Sequence, residues 1–392
     1  MFEIHLTPIV ITLAAVLLAA TLCLLFGFRH YVASVAARVR DDSRRPMPDD
    51  GYEWPAVSVI VYSEDDAPNL EVLLPQILDQ DYPAHFEVIV VNDGAVSSTK
   101  DVIARLEKRY SNLYMTFTPL ESRSLSRKKL ALTLGIKAAR FDVVVHTTGC
   151  CQVPSRLWLK SICRNFTPGT DIVIGYSAPA VPDGIREPRK RLHAFDTVRT
   201  AVEYLSWAIA GRPYRGNCCN LAYRRSLFFN NKGFSRTLHL KYGDDDLFIN
   251  EVATPRNTDV ELSADSLILN VENTPAASHR ASKLRYDYTG SRLRTRSRLF
   301  FGACSTIWWL QIASAIWLAV AGLPSLIPLI AAALMLLLTW IVLMFTWRRT
   351  SRALWSRSIL LTFPWFMSIH PVYTLIYKIK GFRKRGNNLT WS

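Results

Sequence analysis

AVSVIVYSEDDAPNLEVLLPQILDQDYPAHFEVIVVNDGAVSST, residues 56–99, holds two strands and the helix between them. Residues 56–62 are a continuous β-branched run, the composition of a strand covered on both faces, and residues 69–78 carry apolar side chains at helical spacing. FEVIVVND, residues 86–93, is a second buried strand ending in polar residues. Toward the C-terminus the alternation continues with an amphipathic helix over 99–110, a strand over 113–117, a helix over 128–139 and a fourth buried strand, FDVVVHTT, over 141–148. Alternating β and α units predict an α/β domain, a mostly parallel sheet with helices on both faces. Ligands bind such sheets at the carboxyl ends of the strands, which directs attention to residues 63–66, 92–98 and 147–153.

Outward from this core the chain becomes apolar. It has 392 residues, 49% of them hydrophobic, and a mean hydropathy of +0.11, too apolar for one ordinary soluble domain. TPIVITLAAVLLAATLCLLFGF, residues 7–28, is uncharged and long enough, at ~1.5 Å per helical residue, to cross a ~30 Å hydrocarbon core. No basic stretch precedes it and no small-residue cleavage pattern follows, so it reads as an uncleaved anchor rather than a signal peptide. Arg29, His30, Arg38, Arg40, Arg44 and Arg45 come next, and the positive-inside rule puts this flank and the following domain on the cytoplasmic side of the inner membrane. Residues 31–55 read as a polar, proline-bearing cytoplasmic linker.

Beyond residue 290, Arg292, Arg294, Arg296 and Arg298 lead through an interfacial stretch into an apolar run, and after a break at 322–324 a second run covers 327–347. Together they predict a helical hairpin. A last apolar stretch, 358–377, is interrupted by Pro364 and Pro371 and ends on the basic KIKGFRKRG. A spanning helix and a re-entrant segment both fit it, leaving three or four crossings. The expected organisation is an anchor (1–30), a linker (31–55), the α/β domain (56–290) and a C-terminal membrane region (291–392).

A formal charge of +15 suits either nucleic acid or anionic lipid. The densest basic stretches flank apolar runs and no groove-reading motif is present, so membrane lipids, not nucleic acid, are the expected partner. Seven cysteines include the adjacent pairs Cys150–Cys151 and Cys218–Cys219; in a large cytosol-facing chain they read as free thiols.

The opening stretch, above all QDYP followed by EVIVVND, resembles the start of family 2 glycosyltransferases, which have the GT-A nucleotide-sugar fold. RKKLALTLGIKAA (127–139) is similar to that family's lysine-bearing helix, NLAYRRSLFF (220–229) to its acceptor-side strand and helix, and YGDDDLFIN (242–250) to its catalytic acidic motif. The resemblance covers about residues 56–289. It implies inverting transfer of a sugar from a nucleotide sugar to an acceptor hydroxyl. Such a reaction needs a held nucleotide, neutralisation of the departing diphosphate, and a base.

Carried over by position, the resemblance puts Asp93 on the nucleotide base with Ser63 and Glu64 beside it, and Lys129 and Thr148 along the donor. Asn220 and Arg285 fall on the acceptor or diphosphate side. Asp93–Gly94 is also an ordinary turn pair, and Ser97 stands where the family often has a second acid. Aligning GDDDL makes Asp244 the general base, with Asp245 and Asp246 supporting it or capping a helix. Among such like charges at least one carboxyl pKa should rise.

Two motifs depart from the family. Its Asp-x-Asp after the fourth strand holds Mg²⁺ or Mn²⁺, whereas this chain has Thr148, Gly149 and Cys150 there, which offers a hard cation no carboxylate. Three readings follow: a metal-independent enzyme using Lys128, Lys129, Arg212 or Arg215 on the diphosphate; a degenerate homologue that binds without turnover; or a softer Zn²⁺ site of Cys150, Cys151, Cys218 and Cys219. Of the processive enzymes' Q-x-x-R-W, residues 282–286 keep only Arg285, pointing to single addition on a lipid-linked or otherwise membrane-held glycan acceptor. The retained acidic triplet favours an active enzyme of envelope glycan synthesis over a binding or assembly subunit.

Overall fold

The computed structural model describes residues 7–49, 51–94, 97–118, 126–179, 187–271, 275–323, 325–357 and 359–387. The chain forms two compact units, one of residues 37–185 and 207–293, the other of residues 1–36, 186–206 and 294–392.

Among its described residues the first unit contains ten strands: β1 (Val57–Ser63), β2 (Phe86–Asn92), β3 (Leu113–Phe117), β4 (Val143–Thr148), β5 (Cys151–Gln152), β6 (Ile172–Ile174), β7 (Ser177–Pro179), β8 (Leu221–Arg224), β9 (Thr258–Val260) and β10 (Ile268–Asn270). Seven make the main sheet in the order β3-β2-β1-β4-β8-β6-β9, and β5-β10-β7 make a small second sheet. In the main sheet β1 pairs in parallel with β2 and β4, β2 with β3, and β6 with β9. β8 alone runs antiparallel to both its neighbours, β4 and β6. The anticipated mostly parallel sheet is therefore present, with one reversed strand at its centre.

The β-branched runs bury both faces of this sheet. Val57, Val59, Val61, Val88, Val90, Val143 and Val145 pack with Leu70, Leu73, Leu74 and Ile77 of the helix Ala67–Leu78. Each such side chain contributes about 1.5–3 kcal/mol on burial. Ile60 and Val91 point the other way, against the helix Arg127–Ala138. There Gly135 lies so close that a Cβ would stand 2.7 Å from Val91 Cγ2 and 2.9 Å from Ile60 Cγ2, so no larger residue fits without shifting the helix.

Residues 31–44, expected in a linker, are instead helical, within the helix Arg29–Arg44. Arg38 Nε donates to Asp42 Oδ2 one turn on at 2.8 Å, and that oxygen also accepts from Leu262 N at 2.9 Å. Arg164 Nη2 donates to the Asp42 carbonyl at 2.8 Å while its guanidinium grips the buried Glu261 at 2.9 and 3.0 Å. Val32, Val35, Ala36 and Val39 give this helix an apolar stripe, and these tertiary partners hold its polar last turn.

Three helices among the described residues are long and apolar enough to cross a membrane: Pro8–Arg44, Arg296–Ala321 and Leu326–Ala353. Gln311 Nε2 donates to Thr21 Oγ1 and to Thr339 Oγ1, both at 2.9 Å, a polar tie among apolar side chains. The last apolar stretch lies in the helix Phe363–Asn387, which holds Pro371 and is not among those three. Residues 187–206, expected within the α/β domain, belong to the second unit: Arg199 Nε bonds Glu203 at 3.0 Å and Asp196 Oδ1 meets His370 Nε2 at 3.1 Å.

Candidate active site

The carboxyl ends of β1, β2 and β4 form one rim of the main sheet. At the end of β2 the Asp93 carboxylate accepts from Tyr62 OH at 3.1 Å and from Arg127 Nη2 at 2.5 Å. Asp93 is therefore more than a turn residue. Ser63, buried, accepts weakly from Asp66 N at 3.4 Å, and Glu64 beside it is exposed. Asp65 takes a left-handed φ of 50°, held by reciprocal bonds with the Asn92 amide at 3.1 and 3.3 Å.

The acidic triplet follows Gly243, whose φ of +100° turns the chain into the short helix Asp246–Val252. Each carboxylate takes a different environment. Lys128 Nζ lies 2.7 Å from Asp244 Oδ2. Burial alone would raise Asp244, but Lys128 and Arg285 outweigh it and hold the carboxyl below its ordinary range. Asp245 caps the helix, accepting from Asp246 N at 2.8 Å and from Cys218 N at 2.9 Å, with Arg285 Nη2 4.0 Å away. Asp246 is fully buried, 3.2 Å from Arg215 Nε, and accepts from Thr289 Oγ1 at 2.7 Å. Burial dominates there and pushes its pKa up to about 6 against the pull of Arg215. A raised carboxyl thus exists in the cluster, and it is Asp246 rather than Asp244.

Tyr62, Lys128, His146, Thr148, Cys218 and Asp244 line a pocket with about 280 Å³ of empty space, part of it open to solvent. The site combines three carboxylates with three cations, Lys128, Arg215 and Arg285, so a carboxylate able to take a proton stands beside groups able to take negative charge.

Two residues expected at the site are placed elsewhere. Lys129, assigned to the donor, is fully buried and donates to the carbonyls of Thr237, Leu240 and Tyr242 at 2.6, 3.1 and 2.9 Å. Burial lowers its pKa to about 8, partly offset by Asp244 and Asp245. Asn220, assigned to the acceptor side, is also fully buried: its Nδ2 donates to Tyr176 O and Ser266 O, and its Oδ1 accepts from Trp158 Nε1. Lys129 has all three ammonium donors engaged, and Asn220 is held inside the core by three hydrogen bonds. Arg212 stacks on Trp207 at the surface. Arg127 and His146 entered without being anticipated; the first adjoins the lysines in the basic RKK, and the second is a polar residue inside an otherwise apolar strand.

Where the family's metal motif would lie, Thr148 offers a hydroxyl and Cys150 a thiol. Among the described residues no group of three or more His, Cys, Asp or Glu side chains is arranged to hold a metal ion. Cys150, Cys151 and Cys219 do gather, but around Thr148 Oγ1, at 3.2, 3.3 and 3.6 Å, so the thiolate zinc reading is not supported. The donor set at this position fits neither Mg²⁺ or Mn²⁺, which want anionic oxygen, nor a tetrahedral thiolate site.

Residues 56–241 match the Glycosyl transferase family 2 model. Glycosyltransferase AglE of Haloferax volcanii is 27% identical over 132 residues, which are 33% of this chain and 42% of AglE. The chain thus spans well under two thirds of that relative's length. The mannosyltransferase PcManGT from Pyrobaculum calidifontis, solved with GDP-Man and Mn²⁺, superposes with a TM-score of 0.53 at 20% identity, covering 87% of this chain and 97% of that one. At that identity the likeness concerns the fold. The α/β unit is of the GT-A type.

Proposed function

We propose that this chain, built on a family 2 glycosyl transferase domain, is a membrane-bound inverting glycosyltransferase. It moves one sugar from a nucleotide sugar to a hydroxyl of a lipid-linked or otherwise membrane-held acceptor in envelope glycan synthesis. The observation that carries this reading is the Lys128–Asp244 pair at 2.7 Å on the strand-end rim, with Arg285 beside it. The domain faces the cytoplasm, and the basic flanks of its helices meet anionic lipid.

In the mechanism, Asp93 with Arg127 holds the nucleotide, with Ser63, Glu64 and Thr148 along the same rim. The incoming diphosphate draws the Lys128 ammonium toward itself. Asp244, relieved of its partner, is the stronger base and takes the acceptor hydroxyl proton as that oxygen attacks the anomeric carbon. The bond to the diphosphate breaks on the opposite face, which inverts the configuration, and Lys128 and Arg285 receive the charge that leaves. No step needs a metal.

The absent carboxylates at Thr148 and Cys150 favour a second reading, a degenerate relative that binds a nucleotide sugar as an assembly subunit. Purified chain in nanodiscs, given a panel of UDP- and GDP-sugars and a lipid extract, separates the two. Nucleotide release that persists in EDTA and disappears in Asp244→Asn is the expected result. Retained nucleotide binding with no release from any donor overturns the enzyme in favour of the subunit.

A further inference from the structure

Four thiols that the transfer reaction leaves unused meet beside the pocket. Cys151, at the start of β5, and Cys219, just before β8, both place their sulfurs against one hydroxyl, Thr148 Oγ1, at 3.3 and 3.6 Å, with Cys150 at 3.2 Å. Arg285 Nη1 donates to Cys218 Sγ, on the residue next to Cys219, at 3.4 Å. Hydrogen bonds from Cys151 and Cys218 hold the Cys219 thiol well below its ordinary range against the effect of burial, whereas hydrogen bonding and burial push Cys151 and Cys218 up. One sulfur with thiolate character beside protonated neighbours is the arrangement of an attacking and a resolving thiol. Cys151 and Cys219 are themselves buried, and a small oxidant reaches them past the half-buried Cys150 or past Cys218 on the pocket wall.

We infer that Cys151 and Cys219 form an oxidisable dithiol, joined by a peroxide into a disulfide that closes the donor pocket. The Cys219 thiolate attacks one peroxide oxygen, the O–O bond breaks, and water leaves, giving a sulfenic acid. The Cys151 sulfur then attacks the Cys219 sulfur, and its proton departs with the hydroxyl as a second water. Two thiols lose two electrons, one peroxide gains them, and a dithiol reductant restores the starting state. A covalent S–S bond of about 2.05 Å is shorter than any non-bonded sulfur–sulfur contact, so it draws the segment after β4 toward the segment before β8 and moves Thr148 with it. The effect on the donor rests on the nucleotide-sugar reading above; the cross-link does not.

Full-length chain in nanodiscs, treated with hydrogen peroxide or with dithiothreitol, tests this by peptide mass spectrometry without reduction. A Cys151–Cys219 cross-link is expected, absent from Cys151→Ser and from Cys219→Ser and retained in Cys163→Ser. Binding of UDP or GDP should weaken about tenfold or more on oxidation, recover with dithiothreitol, and stay constant in Cys219→Ser. Absence of the cross-link, cross-links confined to other cysteines, or a cross-link that leaves nucleotide binding unchanged overturns the proposal. A reduced chain that binds neither UDP nor GDP overturns the function proposed above, and the cross-link then decides the thiol site alone.

Discussion

Lys128 and Lys129 are adjacent, and about 100° of helix rotation sends their ammonium groups to different work. Lys128 reaches Asp244, and Lys129 reaches three carbonyls. Asp244→Asn removes the base without removing bulk and should lower turnover by about 10²–10⁴-fold while UDP or GDP still binds, read as nucleotide release against equilibrium binding. Asp246 behaves differently. Its folded pKa of about 6 exceeds the ordinary 3.8, so the native state holds that proton more tightly than the unfolded chain does. Its contribution to stability is full below about pH 4 and is lost as pH rises through about 6. Thermal unfolding at pH 4.5 and 7.5 should therefore show wild type losing up to about 2 kcal/mol relative to Asp246→Asn over that interval. The acidic triplet and the basic RKK were both legible as chemistry-bearing residues. Which aspartate pairs with which cation was not, because neighbours in a string of like residues differ only in the direction they face.

Lys129 also illustrates how one side chain fixes an element. Its three acceptors, Thr237, Leu240 and Tyr242, all lie in the segment that leads to Gly243 and the acids. Lys129→Met leaves those carbonyls without their donor and should cost about 3 kcal/mol, seen as a melting temperature lower by roughly 6–12 °C. The strands β1 to β4 were readable to within two residues, since β1, β2 and β4 are β-branched runs with polar residues at their ends and β3 continues the same alternation. The helix through Arg44 was not readable. Its last turn depends on Leu262 and Arg164, which lie far away in sequence, and residues 41–44 alone look like linker. Asn220 escaped for the same reason, its partners Tyr176, Ser266 and Trp158 being remote in sequence.

For the whole chain, length and apolarity announced the crossing helices, and the polar tie between them was hidden in their interior. Gln311→Leu removes both of its bonds, to Thr21 and to Thr339, and should weaken helix association by about 0.6–1.7 kcal/mol in detergent-titrated unfolding. The basic C-terminal end of the helix Leu326–Ala353, with Arg348, Arg349 and Arg352, and the turn near 323 should lie on opposite sides of the bilayer. Leu323→Cys and Ser356→Cys are then expected to label with an impermeant maleimide from opposite faces. The helix Glu187–Ile209 gave no such signal, because its mixed charged and apolar residues resemble those of any helix of a soluble domain.

β8 lies between β4 and β6, yet it is made long after the first and some time after the second. Asp244 follows Asp93 by about 150 residues, or about 8–30 s at ribosomal speeds of 5–20 residues per second. Throughout that interval a nascent chain already tethered by its first helix has one half of the rim and no carboxylate to complete it. The order of synthesis thus withholds the proposed base until β8 has been delivered, so a product truncated before Asp244 would lack it.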